Sequence, residues 1–227
     1  MNALLIVGTE AGTGKTVLLS ALAAYWQRYG GDRPLGIFKP IQCGGTDRDR
    51  YVQQFGLSQT VDEVNPCWFE SSLVPPLAAE QAGRKIKLDK LWQSFESLSH
   101  QREFVLVEGC GGLGDPVSRE TTMADLAWDW RLPTVLVVPV TPGAIAQAVA
   151  NAALAEQANV HLKGIVLNCL SPDSESHAED WAPTHLLQSL THKPVLGCIP
   201  HLADPGDRDK LAQAASNLEL ERLLPLL

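Results

Sequence analysis

Residues 3–19 read ALLIVGTEAGTGKTVLL, and this stretch decides the fold of the whole chain. The apolar run at 4–7 predicts a buried strand, the glycine-rich segment after it predicts a turn, and Lys15 begins a predicted helix. The first N–H groups of a helix have no partner within the helix, and the helix dipole is positive at that end. A loop between a strand and a helix N-terminus is therefore suited to bind phosphate groups.

The residue types in this loop fit a nucleoside triphosphate. Gly12 and Gly14 let the backbone approach a phosphate without a Cβ in the way. Lys15 would neutralise β- and γ-phosphate oxygens, and the hydroxyl of Thr16 would bind Mg²⁺. Five residues separate Gly8 from Gly14, one more than in the strict P-loop pattern, so this loop is a longer variant.

The composition is that of an acidic globular protein. The 227 residues fit one α/β domain spanning 1–227, and 45% of them are hydrophobic, which is enough for a large core. A formal charge of −8 disfavours nucleic acid and membrane surfaces as partners, because both require a basic surface. The five cysteines show no C-x-x-C spacing, and no apolar run has the length of a signal peptide or a membrane span. We therefore expect reduced thiols and a cytoplasmic location.

Short continuous apolar runs, typical of parallel strands buried on both faces, alternate with helical patterns. The predicted strands are 4–7, 36–38, 104–107, 135–138, 164–167 and 195–199. The predicted helices are 15–28, 47–56, 87–98, 122–130 and 143–157, with one or two more after 180. Segments 58–82 and 200–208 are predicted to be irregular, and 171–180 to be a surface loop. The alternation predicts a three-layer α/β fold, the P-loop NTPase fold, with a mostly parallel central sheet and helices on both faces.

Charged residues follow two of the predicted strands, at the ends where open α/β sheets bind ligands. Lys39 follows the strand at 36–38, where it can direct a cation at the phosphate loop; the alternative is a solvated loop lysine. Glu108 follows the strand at 104–107, where phosphate-binding α/β proteins carry a second Mg²⁺ ligand; the alternative is an incidental glutamate in a flexible loop. Because the P-loop is in the same chain, we favour the functional interpretation of both.

Three further polar residues have two interpretations each. Asp47 and Asp49 lie near a predicted helix start, where helix capping explains one of them fully and is the simpler interpretation of both. The residues alone do not choose between them as metal ligands. Asn168 ends the strand at 164–167, where its amide could read an adenine edge, and a turn-forming asparagine fits equally well.

The order and spacing of six short motifs extend from about residue 3 to about residue 204. They are Gly8-Thr9-Glu10 with Gly14-Lys15-Thr16, Phe38-Lys39-Pro40, Val107-Glu108-Gly109 with Gly111-Gly112, Leu136-Val137-Val138, Val166-Leu167-Asn168, and Leu196-Gly197 with Ile199-Pro200. No single motif is specific, but the set in this order resembles the dethiobiotin synthetases.

The resemblance implies a homodimeric, Mg²⁺- and ATP-dependent cyclo-ligase of biotin biosynthesis. Such an enzyme carboxylates 7,8-diaminopelargonic acid with CO₂ and closes the ring of dethiobiotin, forming ADP and phosphate. A carbamate on one amine attacks the γ-phosphate, and the second amine attacks the resulting anhydride. Cations have to offset the repulsion between carbamate and phosphate, a demand that two lysines and Mg²⁺ would meet. The substrate carboxylate is implied to bind near the dimer interface.

The resemblance also implies roles by position. The implied catalytic residues are Lys15 and Lys39. The implied Mg²⁺ ligands are Thr16, Asp49 and Glu108, with Asp49 chosen over Asp47 only by the alignment. The implied nucleotide-binding residues are Gly12, Thr13, Gly14, Lys15, Thr16, Val17, Asn168, Pro200 and Leu202. The implied substrate-binding residues are Lys39, Cys43, Gly111, Gly112, Gly143 and Ile145.

The chain departs from the family pattern mainly on the diamine side. The family's Leu-Gly-x-Ile-Asn-His, which helps to hold the substrate carboxylate, is Pro142-Gly143-Ala144-Ile145-Ala146-Gln147 here, and its Ser-Pro-His is Val74-Pro75-Pro76. The alternative function is therefore a P-loop ATPase of the same fold that acts as a regulator, a sensor or a partition-type switch. Partition-type ATPases carry a lysine five residues before the P-loop lysine, where this chain has Glu10, which counts against that class.

Overall fold

The structure, a computed structural model, describes residues 2–225 and divides them into eight strands and twelve helices. The strands are β1 (Ala3–Gly8), β2 (Leu35–Phe38), β3 (Ile41–Cys43), β4 (Cys67–Phe69), β5 (Phe104–Gly112), β6 (Thr134–Pro139), β7 (Leu162–Asn168) and β8 (Val195–Ile199). The helices are α1 (Lys15–Tyr29), α2 (Asp47–Phe55), α3 (Val61–Val64), α4 (Pro75–Gln81), α5 (Leu88–Gln101), α6 (Met123–Asp129), α7 (Ala144–Gln157), α8 (Pro172–Ser176), α9 (Ala178–Trp181), α10 (Thr184–Thr191), α11 (Arg208–Ala215) and α12 (Leu220–Leu223). Within residues 2–225, each helix is too short or too polar to span a membrane.

Six strands form one parallel sheet in the order β2-β5-β1-β6-β7-β8. The central strand β1 pairs with β5, where Leu5 lies opposite Val107, and with β6, where Ile6 lies opposite Val135. Because the strands are parallel, their carboxyl ends meet at one edge, and the loops that follow them gather there. β3 and β4 pair separately as a two-stranded parallel sheet.

The two faces of the six-stranded sheet bury two apolar cores. Along β1, Leu5 and Val7 pack into one core while Leu4 and Ile6 pack into the other, because successive strand residues point to opposite faces. Side chains of α5, α6 and α7 join the first core, and side chains of α1, α2 and α11 join the second. The predicted three-layer α/β fold is therefore confirmed.

All six predicted strands are confirmed, with ends that shift by a few residues. The largest change is in β5, which continues beyond 107 to Gly112. The five predicted helices before 180 correspond to α1, α2, α5, α6 and α7. Three helices, α10, α11 and α12, follow residue 180, where one or two were predicted. The segment 200–208 is irregular up to Asp207, as predicted.

Two segments hold more regular structure than the sequence patterns predict. The prediction that 58–82 is irregular is wrong, because it contains α3, β4 and α4. A capping box of Thr60 and Glu63 begins α3, and Pro75 begins α4, where its missing N–H has no helical partner to lose. The expected loop at 171–180 is also wrong, since Ser171 caps α8 and α9 follows it. Elements of three to seven residues are too short to show a hydrophobic period.

Candidate active site

Residues 9–14 connect β1 to α1 at the centre of the carboxyl edge. Gly14 is the N-cap of α1 with a φ of +94°, a left-handed conformation that glycine adopts without strain. A Cβ at this position would also collide with the side-chain amide of Asn168. No side chain in residues 2–225 caps α1, so the first N–H groups of this helix remain available to an anionic ligand.

Lys15 lies in the first turn of α1 and turns its side chain back over the loop. Its Nζ donates a hydrogen bond to the carbonyl oxygen of Glu10 at 2.9 Å, and the residue is only 6% exposed. Burial lowers the pKa of the Lys15 ammonium, against the opposing effect of the Glu108 carboxylate. The lysine is therefore held at the phosphate loop, in the lining of the adjacent cavity.

Lys39 lies directly after β2 and is bound between two carboxylates. Its Nζ is 2.5 Å from Oδ2 of Asp47 and 3.0 Å from Oε1 of Glu108. Burial alone would lower the pKa of Lys39, but the carboxylates of Glu108 and Asp47 outweigh burial and raise it. The alternative of a solvated loop lysine is wrong, because this residue carries a buried positive charge.

Glu108 is 2% exposed and accepts hydrogen bonds at both carboxylate oxygens. The hydroxyl of Thr16 donates to Oε1 at 3.1 Å, and Lys39 donates to the same oxygen. The phenol of Tyr51 donates to Oε2, and burial with the adjacent carboxylate raises the pKa of Tyr51 well above its usual value. Because Glu108 lies within β5, the alternative of an incidental glutamate in a flexible loop is wrong.

The two aspartates at the start of α2 lie in different surroundings. Asp47 lines the cavity and pairs with Lys39. Asp49 has a side chain that is 47% exposed, with its Oδ2 3.8 Å from Nε of Arg48, and it lies outside the cavity lining found in residues 2–225. Residues two apart on a helix do not share a face, so only one aspartate can point at the cavity. The geometry therefore selects Asp47 from the two candidates, and the expectation of Asp49 beside Thr16 and Glu108 is corrected.

The charged groups line a cavity of about 460 Å³ at the carboxyl edge. Of the residues predicted from sequence, the cavity brings together Gly12, Gly14, Lys15, Thr16, Lys39, Cys43 and Glu108. It also includes residues that were not predicted as ligands, among them Ser72, Leu73, Val74, Pro75, Cys110 and Asp115. Burial raises the pKa of the Cys43 thiol to about 11, so at neutral pH this thiol is protonated and is at most a weak donor.

Gly111 and Gly112 lie at the end of β5 beside Asp115. The N–H of Gly112 donates to Oδ2 of Asp115 at 2.7 Å, and a Cβ on Gly111 would collide with the same carboxylate. Asp115 lines the cavity, whereas the two glycines stand behind it in the described part of the chain. Their small size therefore lets Asp115 reach the site.

Gly143 and Ile145 lie at the N-terminus of α7, outside the charged cavity of residues 2–225. They line a separate apolar hollow together with Trp181. The helix α7 is nevertheless connected to the phosphate loop, because the hydroxyl of Thr9 donates to Oε1 of Gln147 at 3.0 Å. Within one chain, the predicted carboxylate-binding residues and the lysines are therefore in different pockets.

The predicted base-binding residues lie at the ends of the neighbouring strands β7 and β8. Asn168 is 2% exposed, and its Nδ2 donates to the carbonyl oxygen of Thr13 at 3.0 Å. Pro200 and Leu202 follow β8 and are half-buried. Val17, in α1, packs against the second core. Asn168 thus joins the sheet to the phosphate loop, and its contact with a base stays a prediction.

Comparisons with known proteins agree along the whole chain. Residues 2–208 match the family model AAA_26, described as an AAA domain. The ATP-dependent dethiobiotin synthetase of Gloeothece citriformis is 53% identical over 226 residues, with 100% of both chains covered. The synthetase of Crocosphaera subtropica is 50% identical, covering 98% of this chain and 100% of its own. The synthetase of Yersinia pestis (strain Angola) is 34% identical, covering 88% and 85%.

Solved structures match the fold at low sequence identity. A ParA family ATPase from Chlorobium tepidum is 11% identical with a TM-score of 0.59, covering 100% of this chain and 93% of its own. The cell division protein MinD from Aquifex aeolicus is 13% identical with a TM-score of 0.55, covering 94% and 87%. These similarities concern the fold alone.

Proposed function

The chain belongs to the ATP-dependent dethiobiotin synthetase family, and we propose that the charged cavity at the carboxyl edge of its sheet is the active site. The enzyme is an ATP-dependent cyclo-ligase of biotin biosynthesis, which carboxylates 7,8-diaminopelargonic acid and closes the ring of dethiobiotin. The observation that carries the proposal is the convergence of Lys15, Thr16, Lys39 and Glu108 around one cavity.

The two lysines answer the main electrostatic demand of the reaction. A carbamate oxygen attacks the γ-phosphorus and ADP leaves, so two anions have to be brought into contact. Lys15 neutralises the phosphate oxygens at the loop, and Lys39 supplies a second positive charge at the carbamate. Two unit charges about 4 Å apart interact by about 4 kcal/mol at an effective dielectric constant of about 20, so each lysine affects the rate by several powers of ten.

Ring closure completes the reaction in the same cavity. The second amine attacks the carbonyl carbon of the carbamic–phosphoric anhydride, and phosphate leaves. Binding both amines beside the phosphate loop makes each attack intramolecular, which lowers the entropic part of the barrier. Leu73, Val74 and Pro75 add an apolar part to the cavity lining.

The donor set of the cavity fits Mg²⁺. This ion prefers oxygen ligands and is usually bound by one or two carboxylates, with water and substrate phosphates completing its coordination. Among residues 2–225, no group of three or more His, Cys, Asp or Glu side chains is arranged to hold a metal ion. Water and substrate phosphates would complete the coordination of an ion bound by the carboxylates of this cavity. The ammonium of Lys39 lies between the carboxylates of Asp47 and Glu108, which supports the proposal that this part of the cavity binds cations.

We therefore propose Thr16, Asp47 and Glu108 as the residues that would hold Mg²⁺. Asp47 replaces Asp49 in this set because its carboxylate is the one beside Lys39 in the cavity. Bound there, the ion would neutralise charge on the phosphates.

The nucleotide is proposed to bind across the loop and the ends of β7 and β8. Residues 12–17 would bind the phosphates through the N–H groups at the start of α1. Asn168 would read the base, and Pro200 and Leu202 would line the base pocket. The hydrogen bond from Nδ2 of Asn168 to the carbonyl oxygen of Thr13 keeps this side chain beside the phosphate loop.

The diamine is proposed to bind with its amines near Lys39, Cys43, Gly111 and Gly112. Its carboxylate would bind at the N–H groups of Gly143 and Ile145. Since these two residues lie in a separate hollow within one chain, we propose a homodimer in which α7 of one subunit completes the cavity of the other.

We also propose that residues 1–227 form one domain that acts in the cytoplasm. Both apolar cores share the same six-stranded sheet, which supports a single domain. In the cytoplasm the five cysteines would be kept as reduced thiols. A partition-type switch is not favoured, because similarity to ParA and MinD is limited to the fold whereas the full-length relatives are synthetases.

Fixation of ¹⁴C-bicarbonate into acid-stable product tests the proposed site. The wild-type protein should incorporate label only with Mg²⁺, ATP and diaminopelargonic acid together, and Lys15→Ala should lose this activity while keeping its circular dichroism spectrum. Substantial turnover by Lys15→Ala would remove the assignment of this cavity as the active site.

A further inference from the structure

Tyr51 is a buried polar residue whose role the reaction outlined above leaves open. Its side chain is fully buried among the apolar residues of the second core, where a phenylalanine would satisfy packing equally well. The phenol oxygen nevertheless reaches Oε2 of Glu108 and donates a hydrogen bond to it. A buried hydroxyl destabilises the fold unless it forms a hydrogen bond, so the role of this phenol depends on the group that it contacts.

The partner carboxylate shows what the phenol does. Oε1 of Glu108 accepts from Thr16 at 3.1 Å and from Lys39 at 3.0 Å, both of which line the cavity. Oε2 accepts from Tyr51, on the side of the core. Without the phenol, Oε2 would be a buried carboxylate oxygen with no protein donor among those described, and rotation of the carboxylate would be less restricted.

The spacing of α2 connects this contact to the rest of the cavity. Asp47 and Tyr51 are four residues apart, so they share one face of the helix. Asp47 contacts Lys39 from that face, and Tyr51 contacts Glu108 one turn later. A single helix therefore positions both carboxylates of the proposed metal site.

We propose that Tyr51 is a positioning residue for the metal site: by holding Oε2 of Glu108, it keeps Oε1 turned towards Thr16 and the cavity in which Mg²⁺ and the nucleotide would bind. This inference rests on the proposed function, because it requires Glu108 to be a Mg²⁺ ligand. Outer-sphere hydrogen bonds of this kind typically change metal affinity or activity by about 10- to 100-fold.

The test compares ADP affinity in Mg²⁺ with ADP affinity in EDTA, measured by isothermal titration calorimetry. In Tyr51→Phe the ratio of the two affinities should fall by about 10-fold or more, while ADP affinity in EDTA stays at the wild-type value. The matched control is Phe55→Leu, one turn further along α2, which is also buried in the second core. This control should lower stability without changing the affinity ratio.

The outcomes separate the inference from the proposed function. An unchanged ratio in Tyr51→Phe, with a wild-type protein that shows a strong Mg²⁺ effect, would overturn the role of Tyr51 alone. A wild-type protein with no Mg²⁺ effect on ADP affinity would overturn both. An equal fall in Phe55→Leu would also overturn the role of Tyr51, because the effect would then be one of core packing.

A second measurement uses the unmutated sequence and so does not depend on a variant that folds. The chain has three tyrosines, which can be replaced by 3-fluorotyrosine and followed by ¹⁹F NMR. Addition of Mg²⁺ to the ADP complex should shift the resonance of buried Tyr51 and leave those of Tyr25 and Tyr29, which pack on each other in α1, in place. A Tyr51 resonance that does not respond to Mg²⁺ would contradict the inference.

Discussion

The carboxyl edge of the sheet has a charged half and a neutral half, which meet at β1. On the side of β2 and β5, Lys39 directly follows β2 and Glu108 lies within β5, and the two form a buried ion pair at 3.0 Å. On the side of β7 and β8, the corresponding region holds Asn168, Cys169 and Cys198, with the two thiol sulfurs 3.6 Å apart. Ionic side chains are thus concentrated where phosphate and carbamate would react, whereas the residues proposed to bind the base, Asn168, Pro200 and Leu202, carry no charge.

The phosphate loop lies between these halves and contacts both. Lys15 belongs to the charged half, since it lines the cavity with Lys39. Thr13 belongs to the neutral half through the hydrogen bond from Asn168 to its carbonyl oxygen. One loop can therefore contact both halves. The side chain of Lys15 faces the charged cavity, and the backbone of Thr13 is held by the side-chain amide of Asn168.

Replacing the central cation should have the largest effect. Lys39→Met leaves Asp47 and Glu108 without the ammonium that lies between them, so turnover should fall by at least about 1,000-fold. Stability should fall by roughly 3 to 5 kcal/mol, because a buried charge loses its partner. Steady-state kinetics and urea unfolding measure the two effects, with the exposed Lys85→Met as control. Near-normal turnover would show that the charged half does not depend on Lys39.

The two aspartates of α2 provide a finer test inside the charged half. Asp47→Asn should lower kcat/KM for Mg²⁺–ATP by at least about 10-fold, because it removes a charge from the cavity. Asp49→Asn should stay within about 2-fold of the wild-type value, as is usual for exposed substitutions. Parallel kinetics of the two variants check this, and a larger loss in Asp49→Asn would restore the ligand set implied by the resemblance.

A substitution in the phosphate loop, where the two halves meet, can test their contact without changing any charge. Gly14→Ala should lower the free energy of unfolding by more than Gly31→Ala, although both glycines have positive φ, +94° and +64°. A Cβ on Gly31 has no neighbour within 4 Å and adds only backbone strain of about 1 to 2 kcal/mol, whereas a Cβ on Gly14 also meets Asn168. Urea unfolding of both variants, and of Gly14→Ala with Asn168→Ala, measures the difference. Equal losses would mean that the halves are not in tight contact.

The smallest effect is expected at the thiols of the neutral half. Burial raises the pKa of Cys198 to about 12, so at pH 8 this thiol is almost entirely protonated. Alkylation by iodoacetamide at pH 8 should therefore be much slower in the folded protein than in urea, and it should accelerate as the pH rises. Mass spectrometry of the labelled peptide measures this rate. Equally rapid labelling of the folded protein would contradict a half-buried, protonated thiol at this position.

Those site residues whose position follows from the stretch of sequence around them could be predicted. Lys15 and Thr16 could be predicted because strand, loop and helix follow one another in a single stretch. Lys39 and Glu108 could be predicted because each comes at the end of an apolar run, and parallel strands bring such ends to one edge.

The remaining parts depend on directions that residue types do not encode. The choice between Asp47 and Asp49 depends on how α2 is rotated against the sheet. Tyr51 carries the helical signal of lying four residues after Asp47, but the same spacing equally describes an ordinary core residue. The assignment of Gly143 and Ile145 to the diamine depends on a second subunit and stays a prediction.

The ammonium of Lys39, held between Asp47 and Glu108, acts as a counter-ion that the polypeptide provides for itself. Two acidic groups in a buried site would otherwise repel each other until a metal arrived. We therefore expect folding to be independent of the metal supply, so that a chelator leaves the unfolding temperature of the nucleotide-free enzyme unchanged. At the proposed Mg²⁺ site, binding would therefore be an exchange of one cation for another, with the ion taking the place of the Lys39 ammonium between the two carboxylates.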